Sequence, residues 1–236
     1  MGRSIALRFA REGFAVAVAG RTGPPLEAVQ GEIASSAGQA AAFLCDVADK
    51  GSVDTAVRRA AETLGPIDVL VNNAGVAESA PFVSMDDEMW HRALAVNLTG
   101  AYHCMRAVLP GMLERASGRI VNIASTAAKQ GFAYTSAYVA SKHGLLGLTR
   151  AVAAEVGGRG VTVNAICPGW LDTAMTDRSI ARISDRTGRS SGEARAMLER
   201  MNARGRLIDP SEVADLAIRL ASPASADING QDFDIT

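Results

Sequence analysis

Tyr138 and Lys142 stand four residues apart in SAYVASKHG, so on a helix they share one face. A tyrosine with an ordinary pKa of about 10 exchanges protons poorly at neutral pH. An ammonium beside it stabilises the phenolate and lowers that pKa, which makes proton exchange with an alcohol or carbonyl oxygen feasible. Taken alone, such a pair is a common helix-surface contact. Ser125 closes the segment RIVNIAS at the carboxyl end of a strand, where open α/β sheets bind ligands, although serine also serves there as a plain turn residue. Asn97 falls inside the helical pattern WHRALAVNLTGAYHCM, a place that asparagine's propensity disfavours. Asn72-Asn73-Ala74-Gly75 follows the apolar run IDVLV and by itself reads as a tight turn.

Something must hold these side chains together, and the pattern of the chain supplies it. Short apolar runs at 14–19, 41–45, 67–71, 119–124, 161–166 and 232–235 alternate with helical patterns near 4–12, 25–36, 52–64, 87–115, 138–157 and 210–221. Near-continuous apolar strands separated by helices imply a parallel sheet covered on both faces. The helix from 210 carries its own start signal, with Asp209 as cap, Pro210 in the first position and Glu212 three residues after the cap. No linker, repeat or low-complexity stretch interrupts the 236 residues, so a single domain is expected over 1–236.

Composition narrows the function classes. With 48% hydrophobic residues the chain is no disordered tail, and a net charge of -1 provides no basic field for nucleic acid or anionic lipid. No apolar run approaches the roughly 18 residues of a membrane span, and no basic stretch followed by an apolar core opens the chain as a secretory signal does. Cys45, Cys104 and Cys167 share no metal-ligand spacing with each other or with His91, His103 and His143. Three reduced, packed thiols suit the cytoplasm, and no metal is expected.

In this order and at these separations, NNAG, a helical asparagine, a serine and the Tyr-xxx-Lys pair resemble the short-chain dehydrogenase/reductase family, over essentially the whole chain. The resemblance implies a Rossmann-like doubly wound sheet and hydride transfer between a nicotinamide cofactor and a ketone or secondary alcohol. It makes Tyr138 the general acid-base, Ser125 the group that orients the substrate oxygen, Lys142 a partner of both tyrosine and ribose, and Asn97 the anchor of a proton-relaying water. It also puts Asp46 and Val47 near the adenine and Asn73, Ala74 and Gly75 along the adenosine ribose. Pro168, Gly169 and Thr173, in ICPGWLDT, would pass over the nicotinamide, and Gly2 would belong to the phosphate-binding turn.

After VAVAG the chain has Arg21 and no carboxylate. An acidic side chain there would hold the ribose 2′-hydroxyl of NAD, whereas an arginine accommodates the 2′-phosphate of NADP. NADP(H) is therefore expected, with NAD as the alternative. The sequence is similar to 3-oxoacyl and polyketide ketoreductases and to 3-hydroxybutyrate dehydrogenases. Residues 171–206 match the family's substrate-covering segment. From Asp177 to Arg206 eight arginines (178, 182, 186, 189, 195, 200, 204 and 206) face four acids, an excess that suits an anionic thioester carrier or simply a solvated helix face. The reading is an NADP-dependent ketone reductase of 3-oxoacyl type. An NAD-dependent alcohol or 3-hydroxy acid dehydrogenase is the second reading, and a non-catalytic relic that holds no dinucleotide is the third. The third arises because the family's first strand and most of its glycine turn are not seen ahead of Ser4. That strand lies mid-sheet in the family, so an N-terminally truncated chain is expected, unless its two neighbours pair with each other instead. A homodimer or homotetramer through the helices near 87–115 and 138–157 is also implied.

Overall fold

Side-chain caps mark where four of the helices begin. In the computed structural model, which describes residues 1–236, α1 (Gly2–Arg11) and α2 (Gly23–Ser35) are followed by α3 (Lys50–Leu64), whose first turn is capped by the Asp49 carboxylate. That carboxylate accepts from the N–H groups of Gly51 and Ser52. Asp209 and Glu212 form the expected reciprocal box at the start of a helix over Pro210–Ala221. Ser190 and Glu193 do the same for a helix over Ser191–Arg200.

The strands β1 (Val16–Gly20), β2 (Ala40–Leu44), β3 (Val69–Asn72), β4 (Gly118–Ile123), β5 (Val161–Pro168) and β6 (Asp232–Ile235) fall on the six apolar runs. The predicted helix over 87–115 is helical from Asp87 to Glu114 but not uniformly wound. It divides into α4 (Asp87–Leu94), a π turn over Ala95–Thr99 and α5 (Gly100–Glu114). Its apolar periodicity runs through the wider turn, so the sequence pattern does not reveal the break. Beyond it come α6 (Ser136–Val156), α7 (Ala174–Thr187), α8 (Ser191–Arg200) and α9 (Pro210–Ala221).

Every strand pair is parallel. Side chains alternate across the sheet, as a period of two demands. Val121 and Ile123 pack with Ile5 and Phe9 of α1 and Val213, Ala217 and Leu220 of α9. Ile120 and Val163 meet Met105 and Met112 of α5 and Val156 of α6 on the other face. Helices on both faces of a parallel sheet make this a Rossmann-like α/β fold. A chain of buried polar groups ties its middle together. Asn72 donates to Asn122 at 2.8 Å, and Asn122 donates to Thr149 of α6 at 2.9 Å.

The sheet is not continuous. β1 pairs only with β2, while β3, β4, β5 and β6 form a second set in that order. No strand lies between β1 and β3, and they do not pair with each other. Both border a largely apolar cavity of about 610 Å³, closed by Ile5 and Phe9 of α1 and by residues of α3 and α5. All eight residues of β5 are buried, whereas β3 is only half-buried along its length. No helix is long and apolar enough to cross a membrane.

Candidate active site

The π turn delivers Asn97. Its wider winding inserts an extra residue into the helix, a local distortion that recurs where helices carry function. Asn97 is buried, and both ends of its amide are used. Its Oδ1 accepts from the Val76 N–H at 2.8 Å; its Nδ2 donates to the Val76 carbonyl and to Ser141 Oγ, each at 2.9 Å. Ser141 in turn donates to the backbone carbonyl of Tyr138 at 2.7 Å. Ser141 was not singled out from the sequence, although its place on the helix three residues after Tyr138 was a usable signal.

Ser125 follows β4 and caps a short turn over Thr126–Ala128, accepting from the Ala127 N–H at 3.1 Å. That bond uses a lone pair and leaves the hydroxyl hydrogen free to donate. Tyr138 lies in the first turn of α6 and Lys142 in the second, the ammonium 5.8 Å from the centre of the phenol ring. Lys142 is buried and donates to the Ile123 carbonyl at 2.8 Å. Burial lowers its pKa to about 8. The tyrosine departs from expectation. Burial is the largest influence on Tyr138 and raises its pKa; the Ser125 hydroxyl pulls the other way without reversing it. The neighbouring ammonium addresses the ring face and a backbone carbonyl, so it does not depress the phenol as the four-residue spacing alone suggested. The phenol is thus held protonated at neutral pH.

The glycines of this region are close-fitting. A Cβ on Gly75 would lie 3.4 Å from Asn97 Oδ1 and 3.8 Å from Lys142 Nζ, which places the NNAG loop against both groups. A Cβ on Gly2 would lie 2.7 Å from Asn73 Nδ2. Asn73 Oδ1 is buried and has no hydrogen-bond partner. Gly2, Val47, Asn73 and Ala74 line one end of the apolar cavity together with Asn97. Asp46 instead serves its own turn, its Oδ1 accepting from the Ala48 N–H at 3.0 Å. Val47 packs on the π turn, where a Cβ on Gly100 would meet Val47 Cγ2 at 2.6 Å.

Pro168 ends β5, and the Gly169 N–H reaches the Ile235 carbonyl at 2.9 Å. A side chain on Gly169 would collide with buried Asn202, whose amide clamps both backbone groups of Trp170. Asn202 also escaped the sequence reading. Thr173 stands at the start of α7 without capping it through its hydroxyl. Arg21 sits apart from the catalytic group, exposed and without an ion pair, on a second cavity that also touches Gly75 and α7. Cys167, Asp232 and Asp234 form the one cluster with metal-ligand chemistry, but Lys129 bridges both carboxylates and Arg150 also engages Asp232, so two cations already answer the two acids.

Residues 1–235 match the family described as enoyl-(acyl carrier protein) reductase. The short-chain reductase protein NovJ of Streptomyces niveus is 38% identical, with 98% of this chain and 86% of that protein aligned. The 3-oxoacyl-[acyl-carrier-protein] reductase FabG of Vibrio harveyi is 37% identical over 79% of this chain and 72% of its own. Among solved structures, an actinorhodin polyketide ketoreductase with NADPH superposes with a TM-score of 0.95 at 37% identity, covering 99% of this chain and 90% of that one.

Proposed function

This chain belongs to the short-chain dehydrogenase/reductase family, and from that premise we propose that it reduces a ketone to a secondary alcohol with NADP(H), residues 1–236 acting as one catalytic domain. One observation carries the proposal: Ser125, Tyr138 and Lys142 meet Asn97 and the NNAG loop at the carboxyl end of β4. NADP(H), when bound, supplies the hydride. Tyr138, kept protonated by burial, gives its proton to the oxygen that becomes the alcohol. Ser125 donates its free hydroxyl hydrogen to that same oxygen and fixes its position. Lys142, with a pKa of about 8, takes up and releases protons near neutrality and restores the phenol. Asn97 holds the Val76 backbone and Ser141 in place, and a water beside it completes the path from Lys142 to solvent.

The residues fit the dinucleotide. Asn73 Oδ1 is an unsatisfied buried acceptor beside Gly2, where an added Cβ would crowd the Asn73 amide, and it suits a ribose hydroxyl. Gly2, Asp46, Val47, Ala74 and Gly75 would line its path, with Pro168, Gly169 and Thr173 over the nicotinamide end. Arg21, unpaired and exposed, would meet the 2′-phosphate and select NADP over NAD.

The substrate we assign is a 3-oxoacyl group, covered by residues 171–206. Support comes from the ketoreductase and acyl-carrier-protein reductase relatives. A cytoplasmic setting fits the three free, buried thiols, and α5 and α6 would form the contact of a homodimer or homotetramer. Initial rates with NADPH and NADH on thioester, cyclic and small ketones test the reading. Turnover of a 3-oxoacyl thioester with NADPH is expected; a strong NADH preference overturns the NADP assignment, and oxidation of alcohols alone favours the dehydrogenase reading.

A further inference from the structure

Ser125 and Tyr138 stand on two elements that no strand pairing joins. Ser125 opens the turn over Thr126–Ala128 after β4, whereas Tyr138 and Lys142 ride on α6. The turn is short. Its own bonds run from the Ala128 N–H to the Ser125 carbonyl at 2.9 Å and from the Lys129 N–H to the Thr126 carbonyl at 3.0 Å. A single turn fixes little by itself, because so few bonds meet the cost of ordering it. Lys129 closes the turn and moors it to β6, which pairs with β5 and not with β4. Its ammonium meets the carboxylates of Asp232 and Asp234, the latter at 2.7 Å. Asp232 uses its other oxygen for Arg150 of α6, at 2.8 Å. One carboxylate therefore holds both the Ser125 turn and the helix that carries Tyr138. Its side chain is 16% exposed, against 49% for Asp234, and its backbone is set by parallel pairing with Ala165 of β5. Lys129, ahead of Arg150, holds the Asp232 carboxyl below the usual carboxylate range, so it stays ionised at neutral pH. Cys167, within 4.8 Å of both acids, is fully buried with its pKa pushed up to about 11, and it adds no charge.

We propose that Asp232, acting through Lys129 and Arg150, is a positioning residue that locks the Ser125 turn to α6 and so sets the Ser125 hydroxyl against the Tyr138 phenol. Ion pairs with exposed partners add little to stability, and Lys129 and Arg150 are 32% and 58% exposed. What the group contributes is geometry. Two side chains that must address one substrate oxygen lose rate steeply when either is displaced by a fraction of their contact distance. The effect on turnover rests on the function proposed above; the placement of Ser125 against Tyr138 belongs to the free protein and does not.

Two readouts test this, one with turnover and one without. Rates with NADPH and a 3-oxoacyl thioester are compared for the wild type, Asp232→Asn, Lys129→Met, Lys129→Arg and Arg150→Met, with dinucleotide binding followed separately by tryptophan fluorescence. Asp215→Asn, which breaks the Arg8 pair between α1 and α9, is the control. The expected result is a kcat lowered roughly tenfold or more in Asp232→Asn and Lys129→Met, with dinucleotide affinity within about twofold of wild type, and a rate largely restored in Lys129→Arg. The Lys129→Met/Asp232→Asn double variant should be no slower than the worse single one, since both remove the same link. Arg150→Met, at an exposed position, should lose about threefold or more and carries the test if a β6 variant fails to fold. The second readout is the Tyr138 Cζ resonance of the free protein labelled with ¹³C at its three tyrosines and assigned with Tyr138→Phe. It should move in Asp232→Asn and Arg150→Met in the direction it moves in Ser125→Ala, and stay in place in Asp215→Asn. Rates equal to the control, a loss matched by lost dinucleotide binding, losses that add in the double variant, or an unmoved resonance overturns the proposal. A wild type that reduces no ketone while its Tyr138 resonance responds keeps the positioning role and loses only the proposed reaction.

Discussion

Burying the Lys142 ammonium strips it of water, and one backbone carbonyl, that of Ile123, is the partner it recovers. Its pKa falls from an ordinary 10.5 to about 8. Between those values the unfolded chain holds a proton that the folded chain has released, so this group's contribution to stability rises with pH across that window. Below about 8 both states are protonated and the whole cost of burial is felt. Lys142→Met should accordingly be more stable than the wild type at pH 7, by on the order of 3 kcal/mol. The difference should close as pH rises from about 8 to about 10.5. Denaturant unfolding of both proteins across that range checks it, and a difference that stays flat contradicts the assignment. At this scale the sequence was informative about identity and blind to environment. Tyr138, Lys142, Ser125 and Asn97 could be chosen from type and spacing. The direction of the tyrosine's shift could not, because spacing reports the neighbouring charge and not the burial that outweighs it.

The elements show a similar division. Periodicity located the helix near 52–64, and cap and periodicity together the one from 210, because these signals are local. The π turn that aims Asn97 was hidden, since an extra residue per turn leaves the run of apolar residues nearly unchanged. Ser141 and Asn202 escaped because each acts on backbone supplied by folding: Tyr138 and Val76 through Asn97 for one, Trp170 and Arg206 for the other. Two glycine substitutions test the backbone assignments. Gly160 has φ +79°, and a Cβ there would fall 1.8 Å from the Ala116 carbonyl oxygen. Gly160→Ala should cost more than about 2 kcal/mol in chemical denaturation, because strain and collision act together. Gly31, within α2, has open space where a Cβ would go. Gly31→Ala should stabilise by roughly 0.5–1 kcal/mol, the usual gain from replacing a helical glycine. Reversal of either sign would refute the placement of that residue.

Across the whole molecule, the parallel α/β layering was legible, because strands buried on both faces read as apolar runs. The division of the sheet has an energetic consequence. β1 and β3 each keep one edge without a strand partner, facing the 610 Å³ cavity, while β4 and β5 are paired on both sides. Amide hydrogen exchange should therefore be faster over 16–20 and 69–72 than over 118–123 and 161–168. Uniform protection of all four segments would contradict an open divide. The same layering brings the carboxyl ends of β4 and β5, the first turns of α6 and the π turn to one place, and the proposed reaction depends on that convergence. The most direct test compares NADPH consumption on a 3-oxoacyl thioester by the wild type and by Tyr138→Phe, with dinucleotide binding followed separately through Trp90 and Trp170 fluorescence. The predicted result is a loss of roughly 10²–10⁴-fold in rate with binding retained. Equal rates in the two proteins, or no dinucleotide binding by either, would contradict it.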